Sequence, residues 1–245
     1  MISETPKGFP RTHWSRLDAV KGDASTERRE ALNFLAERYW KPVYCYLRGR
    51  GYDESASEDL VQEFFFTAFA KGLFAKADPA RGRFRNFLLK SLQHFLANEW
   101  RDAHAKKRQP VEGFVSIHEM ASETGPVVVP KDTKTPEDTF HQAWLSELVM
   151  RVLRTLEQEY LAGGKKIHIE LLRQRVIAPI LDGAEVPSLS DLAERYALSV
   201  KDVENRVITA RRAIQRLLRD EIRVYASSDE EVAAEIQDLW RLLSK

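Results

Sequence analysis

Between Ser188 and Arg219 the chain reads SLSDLAERYALSVKDVENRVITARRAIQRLLR. Lys201, Asn205, Arg206, Thr209, Arg212 and Arg216 share one side of a helical repeat there, and Ser199 and Arg211 flank them. Arginine can grip guanine through two hydrogen bonds, asparagine can do the same with adenine, and lysine and arginine hold phosphates. These residue types in this pattern suit a helix laid in the major groove of duplex DNA.

A stable frame must present them. Ser188 with Asp191, and Ser199 with Asp202, have the spacing of capping boxes, so two helices are expected to start there. Leu189, Leu192, Ala193 and Tyr196 recur on one face of the first. Ala197–Leu198–Ser199 is the expected turn. The second helix is expected to bury Val200, Val203, Val207, Ala210, Ile214, Leu217 and Leu218. The whole is a helix-turn-helix pattern. A helical hairpin with a solvated basic face is the plain alternative.

The net charge is only +1, so its distribution matters more than its sum. Arg81 to Pro110 holds eight Lys or Arg against two acids, and Arg195 to Arg223 holds eight against four. Acids gather instead around Asp53–Glu63 and Asp229–Glu235. Two basic surfaces on a nearly neutral chain suggest nucleic acid gripped at two places. At 245 residues, 31% charged and 43% hydrophobic, the chain suits one or two globular domains. No apolar run approaches the roughly 20 residues of a membrane span. The N-terminus has no signal-peptide core, and a cytoplasmic location is expected. The lone Cys45 excludes an internal disulfide or a cysteine-based zinc site; neither metal nor cofactor is expected.

Taken in order, residues 1–24 lack periodicity. Helices are expected over 31–47, with Pro42 inside and Gly49 and Gly51 ending it, over 55–71, and over 83–106. In the second of these, Asp59, Gln62, Glu63 and Phe66 fall opposite a buried stripe of Leu60, Val61, Phe64, Phe65, Ala68 and Phe69. The third carries Arg85, Lys90, Gln93, Asn98 and Arg101 on its polar face and ends in Lys106–Lys107–Arg108. Residues 109–135, with three prolines and two glycines, read as a linker. Thr135–Pro136–Glu137–Asp138 is a helix start, followed by a helix to Tyr160 and another over 167–181. Ser228 with Glu231 opens an apolar tail helix, expected to cover the second domain or else a separate protein. The expected fold is all-α: a helical domain over 25–108, a flexible linker over 109–135, a helix-turn-helix domain over 136–222 and an extension over 223–245.

With these blocks in order, the chain resembles bacterial sigma factors of the extracytoplasmic-function type. DLVQE at 59–63, the Phe-rich helix after it and DPARGRFRNFL match that family's region two; SLSDLAERYALSVKDVENRVITARR looks like its region four. Departures are Ala56 for a common acid, Ala197 for the turn glycine, Glu204 for a common lysine, and the added tail. The resemblance implies a subunit that binds core RNA polymerase and directs promoter-specific initiation, not an enzyme. It implies that Asp59, Gln62, Glu63 and Phe66 dock on the coiled coil of the largest subunit, with the polymerase flap as a further contact. Arg85, Lys90, Asn98, Trp100, Arg101, Lys106, Lys107 and Arg108 would face the −10 DNA, with Phe95 a second stacking candidate beside Trp100. Ser199, Lys201, Asn205, Arg206, Thr209, Arg211 and Arg212 would face the −35 element. Promoter DNA is then a partner; an anti-sigma protein, a kinase or the tail helix are the candidate regulators.

Two other readings compete. A helix-turn-helix regulator acting without polymerase docking would need neither the DLVQE face nor the first basic helix. A metal-dependent nuclease would need Asp53, Glu54, Glu58, Asp59 and Glu63 to converge. Phosphate on Ser55 or Ser57 would add charge beside the docking acids.

Overall fold

The computed structural model describes residues 26–78, 82–102, 127, 129–130, 135–181, 184–223, 226 and 228–243. Among these it is all helical, without strands. The chain forms two compact units: residues 1–147 with 223–245, and residues 148–222.

In the first unit, α1 (Thr26–Gly49) runs through Pro42. Gly51, at φ 90°, closes it: the Gly51 amide donates to the Arg48 carbonyl and the Tyr52 amide to that of Leu47. α2 (Glu54–Ala70) starts at Asp53, whose side chain accepts from the Ala56 amide at 2.8 Å. A 3-10 turn (Leu73–Lys76) leads toward α3 (Phe84–Asp102). The core between them is largely aromatic. Phe64 meets Phe95 edge to face at 5.6 Å, Phe69 meets Phe74 at 5.4 Å, and Phe84 meets Tyr39 at 5.3 Å. Each such ring removes enough apolar surface from water to contribute about 1.5–3 kcal/mol, with about 0.5–1.5 more from edge-to-face geometry.

α4 (Pro136–Ala162) begins as its sequence demands: the Thr135 hydroxyl accepts from the Asp138 amide at 3.1 Å and donates to its carboxylate at 2.9 Å. Its first residues belong to the first unit, whereas the sequence suggested that the second domain begins at 136. Phe140 and Trp144 are buried, Gln93 donates to Glu137 at 2.8 Å, and Lys41 pairs with Glu147 at 3.0 Å. Gly49 allows the close approach, since a Cβ there would meet Thr139 Oγ1 at 3.1 Å and Pro136 Cα at 3.3 Å. One apolar stripe runs the length of α4, so periodicity gave no sign of the change of neighbours.

The second unit holds the rest of α4, α5 (Lys166–Leu172), a π-turn (Arg173–Ile177) running into α6 (Ala178–Leu181), α7 (Leu189–Arg195) and α8 (Val200–Arg223). The single helix expected over 167–181 is thus interrupted by the π-turn. Val152, Leu156, Tyr160, Ile169, Leu172, Ala210 and Leu217 form one core. Leu171, Leu192, Ala193, Val203 and Val207 form another under the helix-turn-helix.

The tail helix α9 (Asp229–Leu243) returns to the first unit, not to the second as its apolar stripe suggested. Val232 and Leu239 are buried, and Glu235 sits between Arg83 and Arg85 of α3 and its approach. Part of the reason is electrostatic: a carboxylate on an apolar face needs a cationic partner, and the first unit supplies the buried Arg85 and the half-buried Arg83.

Candidate nucleic-acid interface

The Ser188 hydroxyl accepts from the Asp191 amide at 3.1 Å while the Asp191 carboxylate accepts from the Ser188 amide at 3.3 Å, the reciprocal box expected from the sequence. The Ser199 hydroxyl likewise accepts from the Asp202 amide at 3.0 Å and donates to its carboxylate at 2.7 Å. That bond, first among the causes, holds the Asp202 carboxyl below its usual range. Between the helices, the Leu198 amide donates to the Ala193 carbonyl at 2.9 Å and the Ala197 amide to that of Glu194 at 3.3 Å. This closure requires a left-handed residue at Ala197, whose φ is 51°. Leu198 packs inward on the second core.

The π-turn braces this hairpin. Its extra residue brings Gln174 to where its amide donates to the Tyr196 hydroxyl at 2.7 Å and its carbonyl oxygen accepts from Arg195 at 2.8 Å. Arg175 donates to the Pro187 carbonyl just before α7. Both ends of the short helix are therefore tied to the scaffold.

α8 buries Val203, Val207, Ala210 and Leu217. Lys201, Asn205, Thr209, Arg211 and Arg212 are exposed, as is Ser199, and Arg206 is half-buried at the edge. Lys201, Asn205, Thr209, Arg212 and Arg216 follow i, i+4 steps or nearly so and make one stripe opposite the core; Arg211 lies to one side. The Thr209 hydroxyl donates to the Asn205 carbonyl at 2.8 Å, leaving its lone pairs to accept. Arg216 pairs with Glu159 at 2.6 Å and Asp220 at 3.6 Å, which commits part of its charge within the unit. One expectation changes, and one residue is added. Val200, counted as core, is 46% exposed at the first position of α8. Ile208, not singled out from the sequence, is 39% exposed among Lys201, Asn205 and Arg212. An apolar side chain there suits a thymine methyl; its break from the buried register was the available signal.

No known protein family, curated protein or solved structure matches this chain. Its chemistry therefore rests on its own residues.

In the first unit, Asp59 and Gln62 are exposed on α2, and Glu63 and Phe66 half-buried, on the side opposite Val61, Phe64, Phe65 and Ala68. The four share one stripe by their i, i+3, i+4, i+7 spacing. Ser57 is buried and its hydroxyl donates to the Asp53 carbonyl at 2.6 Å, so it is closed to a kinase; Ser55 remains exposed. Among the described residues no group of three or more His, Cys, Asp and Glu could hold a metal ion, so the acids around α2 do not converge. Nor is any described helix long and apolar enough to cross a membrane.

On α3, Lys90 and Asn98 are exposed. Arg85 is not. It is 4% exposed, its guanidinium lying 4.4 Å from the Trp144 ring centroid and bonded to Glu235, so it does not stand on the polar face where the sequence put it. Sequence spacing could not reveal this, because the partner carboxylate lies 150 residues away. Phe95 is core, packed on Phe64. Trp100 and Arg101 have helical backbone; their side chains, and Lys106, Lys107 and Arg108 with most of the 109–135 stretch, lie outside the described residues. His141, near Arg85, is held below its usual pKa mainly by burial and then by the Arg85 charge, against the pull of Asp138 and Glu137.

Proposed function

We propose that this chain is a sigma-type specificity subunit, which binds core RNA polymerase and directs it to promoters. The carrying observation is the α8 stripe: Lys201, Asn205, Thr209 and Arg212 solvent-facing on a helix whose other side is core, set by a capped, braced α7 and a tight turn. A helix so presented fits the major groove, with arginine and asparagine to read base edges and lysine to hold phosphate. In this reading it meets the upstream duplex element.

The polymerase half of the reading is supported by α2. A stripe of Asp59, Gln62, Glu63 and the partly exposed Phe66 suits a basic helical partner with an apolar seam. Lys90 and Asn98, with the basic residues that follow them in sequence, would follow the opened strand. No cofactor enters, and the chain itself does no covalent chemistry. The burial of Arg85 favours a second reading, a helix-turn-helix regulator working alone, because it removes one cation from the expected strand-binding face.

Run-off transcription from a promoter library decides between them. Core polymerase supplied with this chain is expected to gain selective start sites, and Asp59→Lys is expected to abolish the gain while duplex binding persists. Tight duplex binding with no effect on core, in copurification or in transcription, would establish the regulator instead.

A further inference from the structure

The first unit contains a closed ionic cluster that the proposed activity does not use. Glu235, 1% exposed on α9, bonds Arg85; its other oxygen lies 3.3 Å from Arg83 Nε, and Arg83 also donates to the Ala234 carbonyl at 3.5 Å. The Trp144 ring fixes the Arg85 guanidinium from one side. Two guanidiniums converging on one anionic group also make a phosphate seat, since carboxylate and phosphate satisfy the same donor fork. Arg83 further lines a cleft of about 480 Å³ on the solvent side of α3, shared with Lys76, Asn86 and Lys90 and with the acids Asp78 and Glu137. A strand following that cleft arrives at an arginine already engaged by the tail.

We propose that α9 is a built-in competitor for nucleic acid: Glu235 stands where a phosphate of single-stranded DNA would sit on Arg83 and Arg85, and the strand gains this seat only when the tail helix lifts away. The inference rests on reading α3 as a strand-binding face. Three features favour a releasable tail over a permanent part of the core. α9 has only 15 residues, too few to be stable as a helix without its seat. Part of its hold is a buried ion pair, which adds less net stability than apolar packing of the same volume. And the displacing ligand brings the same charge as the group it displaces, so no arginine is left buried without an anion.

The probe is a fluorescein-labelled single-stranded oligonucleotide read by anisotropy over a salt series, with circular dichroism to confirm folding. Glu235→Gln weakens the latch at the charge, and Leu239→Ser weakens it at a buried apolar position of α9 with both arginines retained. Both are expected to bind more tightly, by roughly tenfold if the tail is seated about nine-tenths of the time. Their dependence on log salt should steepen by about 0.7 for each phosphate gained. Arg85→Gln added to Glu235→Gln should cancel the gain. On the unmodified chain, saturating oligonucleotide should lower hydrogen-exchange protection over Asp229–Leu243. Folded variants with the parent's affinity and salt slope, or unchanged tail protection in the complex, overturn the proposal. A latch effect on single strands from a chain that core polymerase ignores would sink the sigma reading and leave the latch. Promoter-selective transcription, with these variants binding single strands like the parent, would do the reverse.

Discussion

Ala197 holds a φ of 51°, a conformation that costs a residue with a Cβ about 1–2 kcal/mol. The turn between α7 and α8 demands it, because only a left-handed residue lets the Leu198 amide return to the Ala193 carbonyl. Ala197→Gly removes the strain but frees the unfolded chain, which returns about 0.4–1 kcal/mol. A net stabilisation of roughly 0.5–1 kcal/mol is expected, read as a higher urea midpoint at unchanged slope; a loss of stability would mean that the alanine methyl has packing worth more than the strain. Cys45 is the other telling residue. Burial, then the Glu147 charge, push its thiol up to about 12 against the opposing pull of Lys41 and Arg48. Since the thiolate is the nucleophile, a disulfide reagent at neutral pH should label Cys45 only as fast as the first unit opens. Prompt stoichiometric labelling of the folded chain would contradict its placement.

At the level of the helices, what local chemistry decides was readable beforehand and what distant partners decide was not. The serine caps of α7 and α8, the Thr135–Asp138 start of α4 and the glycine closure of α1 all act within a few residues, and the structure has each of them. The solvent-facing stripe of Asp59, Gln62, Glu63 and Phe66 on α2 and the basic stripe on α8 were legible for the same reason, since helical phase alone sets which side faces out. The fate of Arg85, the seat of α9 and the division of α4 between two units depend on contacts far apart in sequence, which periodicity does not encode. Arg85 and Lys90 look alike in a helical reading, yet one is buried on Trp144 and the other is exposed. The α8 stripe yields a prediction at this scale. Arg212→Ala should make the log–log salt dependence of duplex binding shallower by about 0.9 if the side chain holds phosphate. If it reads guanine, it should instead cost about 1–3 kcal/mol only on sites carrying that base. Unchanged binding to every duplex would remove α8 as the reading helix.

For the molecule as a whole, pH provides a test that treats the two units separately. Each contains a histidine held below its ordinary pKa. In the first unit His141 is depressed by burial, then by Arg85, with Arg83 adding and Asp138 and Glu137 opposing. In the second His168 is depressed by burial, then by Arg206 and Lys165. A depressed histidine takes up its proton more readily in the unfolded chain than in the folded one. The unfolded state therefore binds more protons as pH falls, and stability must drop from about pH 6.5 downward, the penalty being complete once the folded-state values are passed. Residues 148–222 contain no tryptophan, while Trp40 and Trp144 are buried in the first unit, so tryptophan fluorescence follows that unit, whereas circular dichroism follows both. His141→Gln should flatten the acid loss seen by fluorescence, and His168→Gln should flatten only the part seen by circular dichroism. If the tail latch holds against DNA as proposed, a proton on His141 should tighten it, since a third cation beside Arg83 and Arg85 adds to their pull on the Glu235 carboxylate. Hydrogen exchange over Asp229–Leu243 should then slow as pH is lowered, once corrected for the intrinsic pH dependence of exchange, and His141→Gln should suppress that response. A tail whose corrected protection ignores both pH and His141 would mean that this histidine and the arginine pair do not share one field.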